Sequence, residues 1–198
     1  NLNWIVKVHP ANIVKDVRDQ FSTQHSEVTA LNRVVGEKPD HIHLIEASSD
    51  ISTLSLFSIM DYCLTVRGTI GIEAAYRGIP VLTAGTGRYD RLGFTVDFDG
   101  RDAYLSQLAR LETLPPLTPE QTELAQKFAF GTFALRPTAL SSVQFSFRQD
   151  AAASLAATLV ADDTAALKNS PDIIALGDWI FSGKDDYCNW DLTGQPQP

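Results

Sequence analysis

Cysteine is nearly absent. Cys63 and Cys188 are the only two in the 198-residue chain, too few for a disulfide framework, and Cys63 lies in an apolar run that reads as a buried strand. A reducing cytoplasm is the assignment this implies. Long apolar runs are missing as well. No stretch approaches the roughly 18 consecutive apolar residues of a membrane span, and no basic-then-apolar signal segment opens the sequence. Basic residues are in deficit, with 16 Lys and Arg against 24 Asp and Glu and a formal net charge of −8. That excludes general nucleic-acid binding, which needs a basic footprint. It leaves room for a nucleotide ligand, whose phosphate needs only a local positive site. Neither a Ser/His/Asp triad nor a Walker loop can be assembled from the residues present.

What is there suits a packed domain. Hydrophobic residues make up 44% and charged residues 20%, close to the average for a soluble globular protein. Trp4 to His9 is apolar and β-branched and reads as a strand, which Pro10 ends. Helical spacing of Ile13, Val14, Val17 and Phe21 predicts a helix to Gln24. Ile42–Ile45 reads as a second strand, Leu54 to Met60 as a short buried helix with N-cap candidates in Ser48-Ser49-Asp50, and Tyr62–Val66 as a third strand. Ile70–Arg77 reads as a helix that Gly78 terminates, and Pro80–Thr83 as a fourth strand. Alternation of strand and helix at this spacing predicts an α/β fold, a Rossmann-like parallel sheet with helices on both faces, over residues 1–114. In such a sheet ligands bind beyond the carboxyl ends of the strands, which places His9, Arg67–Gly71 and Gly85–Tyr89 at one rim.

Residues 115–198 are expected to form a helical C-terminal extension. A helix from near Asp102 ends at Pro115-Pro116. Thr118-Pro119 marks the N-cap and first position of a helix over Glu120–Ala134. Asp150–Ala161, rich in small residues, and Asp172–Phe181 are read as two more helices, with Trp179, Phe181 and Trp190 as anchors, ahead of a polar tail ending Gln195-Pro196-Gln197-Pro198. The chain starts at Asn1 and enters a strand almost at once, so it is read as the later part of a longer protein.

Asp61 to Gly93, DYCLTVRGTIGIEAAYRGIPVLTAGTGRYDRLG, carries the most chemistry. A strand, a Gly-bearing turn and a helix start make an anion site of free N–H groups and helix dipole. Gly68 and Gly71 would let a phosphate approach the backbone, and Glu73 would accept hydrogen bonds from ribose hydroxyls. The plainer alternative is that Thr69 caps the helix and Glu73 complements its dipole.

Thr69-Ile70-Gly71-Ile72-Glu73-Ala74, then Gly78-Ile79-Pro80-Val81, then Gly85 and Tyr89, with Lys7-Val8-His9-Pro10 upstream, resembles the pattern of capsule polysaccharide biosynthesis proteins. That family includes Kdo transferases and has the GT-B glycosyltransferase fold; the likeness covers roughly the first 110 residues. The resemblance implies that this is the C-terminal, donor-binding half, which is inactive without the N-terminal domain. It implies a nucleotide-sugar donor, CMP-linked by analogy with sialyltransferases that carry a similar His-Pro motif, and a glycan or glycolipid acceptor. By the same likeness His9 meets the donor phosphate, Thr69 and Gly71 the phosphate or ribose, and Glu73 the nucleoside. Arg67 adds a phosphate contact or points into solvent, Gly85 belongs to the binding rim, and Arg88 and Tyr89 border the donor sugar unless Tyr89 packs in the core. The implied place is the cytoplasm, at the inner face of the membrane.

No residue here is assigned as the catalytic base. Two other readings are a CDP-polyol phosphotransferase of the teichoic-acid type and a non-catalytic assembly module of GT-B-like fold; the net charge counts against the former. A UDP-sugar 2-epimerase would need acidic catalytic residues that cannot be placed. His41 and His43, two apart on a strand, face one side and lack a third partner, so no metal is expected. Asp185-Asp186 is read as a solvated face.

Overall fold

The computed structural model describes residues 2–9, 26–36, 39–138, 140–147 and 155–188. The helix expected over Ile13–Gln24, Trp190 and the tail at 195–198 lie outside them. The chain divides into two compact units, Asn1–Ser52 with Leu140–Ala175, and Thr53–Ala139 with Leu176–Pro198. The boundary expected at Leu114 falls within the second of these.

Among the described residues the first unit contains two pairs of strands. β1 (Trp4–Lys7) pairs in parallel with β2 (Ile42–Ile45), in the register Trp4 to Ile42 and Lys7 to Ile45. Between them in sequence lies α1 (Ser26–Val35), which the apolar pattern had not marked. Val8, at the end of β1, is buried, and the Lys7 ammonium donates to the Ile51 carbonyl at 2.9 Å.

The second unit holds the segment from Asp61 to Gly93. After α2 (Thr53–Leu56) comes a β-α-β arrangement of β3 (Cys63–Thr65), α3 (Ile70–Tyr76) and β4 (Val81–Thr83). β3 and β4 are parallel, with Cys63 opposite Val81 and Thr65 opposite Thr83. Val96 extends β4 on its far side, accepting from Thr83 N–H at 3.1 Å and donating to the Val81 carbonyl at 2.8 Å. α3 ends as its sequence predicts: Gly78 takes φ +79°, and the amides of Gly78 and Ile79 donate to the carbonyls of Ala75 and Ala74. That is a Schellman closure, which favours glycine at the left-handed position.

α4 (Arg101–Leu108) and a 3-10 turn (Leu111–Thr113) lead to α5 (Pro119–Phe130). Its N-cap is a full capping box. Thr118 Oγ1 accepts from Gln121 N–H at 3.2 Å, and Gln121 Oε1 accepts from Thr118 N–H at 3.0 Å. α5 packs on α3 through small residues, Ala74 and Ala75 on one side and Ala125 and Ala129 on the other, all buried. Alanines here let the two backbones approach closely. Phe57, Cys63, Ile72, Ile79, Val81, Tyr89 and Phe94 fill the rest of this core. A π-helical turn, Gly131–Leu135, continues α5.

Two expectations for the C-terminal region are corrected. The helix expected over Asp150–Ala161 is not formed where the chain is described: Leu155–Leu159 is a strand, β6, antiparallel to β5 (Val143–Phe147) with Val143 opposite Leu159. The alanine-rich composition argued for helix, but pairing with the alternating Val143, Phe145 and Phe147 overrides propensity. After α6 (Thr164–Lys168), α7 (Pro171–Ser182) matches the expected final helix. Among the described residues Phe181 is 90% exposed and is not an anchor, whereas Trp179 meets Tyr187 edge-on at 5.8 Å. Among the described residues the sheets are two-stranded, so the fold is mixed α/β with two parallel pairs and one antiparallel pair.

Candidate functional site

The carboxyl ends of β3 and β4 carry two loops of mirrored sequence, Arg67-Gly68-Thr69 and Thr86-Gly87-Arg88. Together they form an open cleft of about 510 Å³, lined by Arg67, Thr86, Gly87 and Arg88. Glycine lets the loops touch. A Cβ on Gly87 would stand 2.9 Å from the Arg67 Cβ, and one on Gly85 would stand 3.1 Å from Val66 Cγ1. Both arginines are exposed. Among the described residues neither guanidinium makes an ion pair, an unusual economy in a chain of net charge −8.

Behind the cleft the backbone is locked. Thr65 Oγ1 accepts from Gly68 N–H at 3.1 Å. The Gly68 carbonyl accepts from Gly71 N–H at 3.1 Å and from the Tyr89 hydroxyl at 2.6 Å. Asp90 Oδ1 accepts from Gly87 N–H at 2.6 Å. The Gly68 and Gly87 amides are therefore engaged within the protein. Thr69 precedes α3 without a side-chain capping bond, so its exposed hydroxyl is the polar group of this turn left uncommitted by capping.

Tyr89 is not at the rim. It is 2% exposed, its ring stacks on Phe94 at 6.2 Å and meets Phe128 edge-on at 6.4 Å. Burial, reinforced by Cys63 and Asp97, pushes its phenol up to about 12, so it stays protonated and donates. Of its two expected roles, core packing is the one seen. Gly71 serves the same residue: a Cβ there would overlap the Tyr89 hydroxyl and stand 2.9 Å from Cζ. Its smallness makes room for a tyrosine, where the sequence suggested room for a phosphate.

Glu73 lies elsewhere. It lines a second, more apolar groove of about 450 Å³ with Tyr76, Arg77, Gln126, Phe130 and Phe133. The structure thus brings Arg67, Arg88 and the Gly85–Gly87 turn together and leaves Glu73 outside their cleft. His9 follows β1 in the first unit, exposed. His41 and His43 are exposed, and among the described residues no group of three His, Cys, Asp or Glu side chains is placed to hold a metal. No described helix is long and apolar enough to cross a membrane.

Sequence reasoning missed Asp97 altogether. Its carboxylate accepts from Thr83 Oγ1 at 2.6 Å, Thr95 Oγ1 at 2.9 Å and Arg91 N–H at 2.8 Å. It fastens the loop after the cleft to the end of β4, and Arg91, at φ +60°, is paired with Asp99 at 2.6 Å. Thr86 and Gly87 lie within the Gly85–Tyr89 stretch that the sequence places at the rim, where no separate role is assigned to them, although the mirrored RGT and TGR tripeptides are a legible signal. No protein-family model, curated protein or solved structure matches this chain.

Proposed function

We propose that this chain is the donor-binding half of a bacterial glycosyltransferase of GT-B fold, acting in capsule or surface polysaccharide synthesis with a CMP-linked sugar as donor. The observation that carries the reading is the polar cleft of Arg67, Thr86, Gly87 and Arg88 at the carboxyl edge of the parallel β3–β4 pair. Open α/β sheets bind their ligands at that edge, and two guanidiniums with no ion pair among the described residues suit a phosphate-bearing ligand. The order of motifs along the chain, from Lys7-Val8-His9-Pro10 to Tyr89, supports the choice of family. In this reading the domain stabilises the charge of the departing nucleotide, and the acceptor and catalytic base belong to a second domain.

The test is calorimetric titration with CMP, CDP and UDP. Saturable binding of CMP above the others is the expected result. Preference for CDP would move the reading to polyol-phosphate transfer, and no binding by a folded chain would move it to an assembly module. Glu73→Ala separates the nucleoside contact from the rest. Undiminished affinity in that variant removes Glu73 from the site.

A further inference from the structure

The two arginines of the cleft stand one on each loop, and the loops are fastened to each other. Gly87 abuts the Arg67 β-carbon, and Tyr89, adjacent to Arg88, is bonded to the carbonyl of Gly68, adjacent to Arg67. The side chains can move, but their bases are held together. Two like charges borne by one cleft repel each other, and an anion that meets both relieves that repulsion. Asp90 is a carboxylate bonded into these loops, and it spends one oxygen on the Gly87 amide. Across residues 67–69 and 85–90 the two arginines stand against this one carboxylate.

From this we infer that the Arg67–Arg88 cleft is a phosphomonoester site: it prefers the doubly charged phosphate of a nucleoside monophosphate to the singly charged phosphodiester of a sugar-linked nucleotide. The inference rests on the donor-site reading and specifies what the site recognises. Each added ligand charge interacts with two guanidiniums, so the second charge is worth as much as the first. During transfer the bond between the anomeric carbon and the phosphate oxygen breaks, and its electron pair stays on that oxygen. A new carbon–oxygen bond forms to the acceptor alcohol, whose proton passes to the catalytic base of the second domain. The phosphate goes from one negative charge to two at that moment, and the cleft favours the second state. Binding that strengthens as charge develops is what lowers a barrier.

Four probes on this chain test it by calorimetry: CMP, the methyl phosphodiester of CMP, cytidine and pyrophosphate. Each is run on the wild type, Arg67→Gln, Arg88→Gln and the double variant, substitutions that keep the packed β-carbon. CMP is expected to bind about tenfold more tightly than its methyl ester, each variant to lose about tenfold for CMP (about 1.4 kcal/mol), and the preference to vanish in the double variant with the melting temperature unchanged. If CMP binds the double variant as tightly as the wild type, the cleft is not the phosphate site, while the donor reading survives. If pyrophosphate binds in an arginine-dependent way and no nucleotide does, the anion site stands and the donor reading falls. Equal affinity for CMP and its methyl ester in the wild type overturns the proposed preference.

Discussion

The Tyr89 hydroxyl donates to the Gly68 carbonyl at 2.6 Å directly above Gly71, whose missing side chain is the space the phenol occupies. The two residues are one packing unit, and they couple energetically. Tyr89→Phe removes a single hydrogen bond and is expected to cost about 1 kcal/mol, because the Gly68 carbonyl keeps the Gly71 amide. Gly71→Ala inserts a methyl group against the phenol and is expected to cost about 2–3 kcal/mol. In the double variant the hydroxyl that the methyl group meets is gone. The combined loss in urea unfolding should then be smaller than the sum of the single losses. Strict additivity would mean that Gly71 is required for some other reason.

Cys63 supplies a chemical reporter of the same core. Burial, with the Glu73 charge beside it, pushes its thiol up to about 12, and the thiolate is the reactive form. Cys188 is only partly buried. Ellman's reagent at pH 8 is therefore expected to titrate one thiol rapidly in the native protein and two after denaturation. Cys188→Ser should abolish the fast phase. A fast phase that survives that substitution would show that the β3 core opens readily.

Much of this was legible beforehand, for identifiable reasons. β1 to β4 are short β-branched runs bounded by Pro, Gly or polar turns, so composition and punctuation agreed. Gly78 and Thr118-Pro119 declared their caps because each has one dominant structural use. The pair β5–β6 was hidden because the Ala-rich Leu155–Leu159 owes its strand state to a partner, Val143–Phe147, and not to itself. At the cleft, the glycine pattern located the right loops but misassigned their atoms. It could not show that Gly71 is emptied for Tyr89, a contact across 18 residues of sequence, nor which side of α3 Glu73 would occupy.

The capping box at α5 is worth a measurement because that helix covers α3 through Ala125 and Ala129. Thr118→Ala removes the acceptor for Gln121 N–H and is expected to cost about 1 kcal/mol, or about 2–4 °C in melting temperature. Gln121→Ala should cost more than a box residue alone, since Gln121 Nε2 also donates to the Gly93 carbonyl at 3.1 Å. Equal effects would mean that the tie to Gly93 contributes nothing.

In the first unit, Asp172 at the start of α7 accepts from Ser142 Oγ at 2.5 Å, Ser142 N–H at 3.1 Å and Ser141 Oγ at 2.9 Å. These bonds, the Ser142 hydroxyl first, outweigh desolvation and lower its carboxyl from 3.8 to about 2. A carboxyl lowered by folding contributes stability that is complete above the unfolded value and is lost as pH falls through the folded one. The contribution should therefore be whole above about pH 4 and disappear between about pH 4 and 2. Asp172→Asn keeps the shape and removes the titration. It is expected to be less stable than the wild type at pH 7 and to approach it as the pH drops to about 2. Urea midpoints measured at half-unit steps across that window check this, and parallel curves for the two proteins would show that the Ser141–Ser142 cradle does not favour the charged carboxylate.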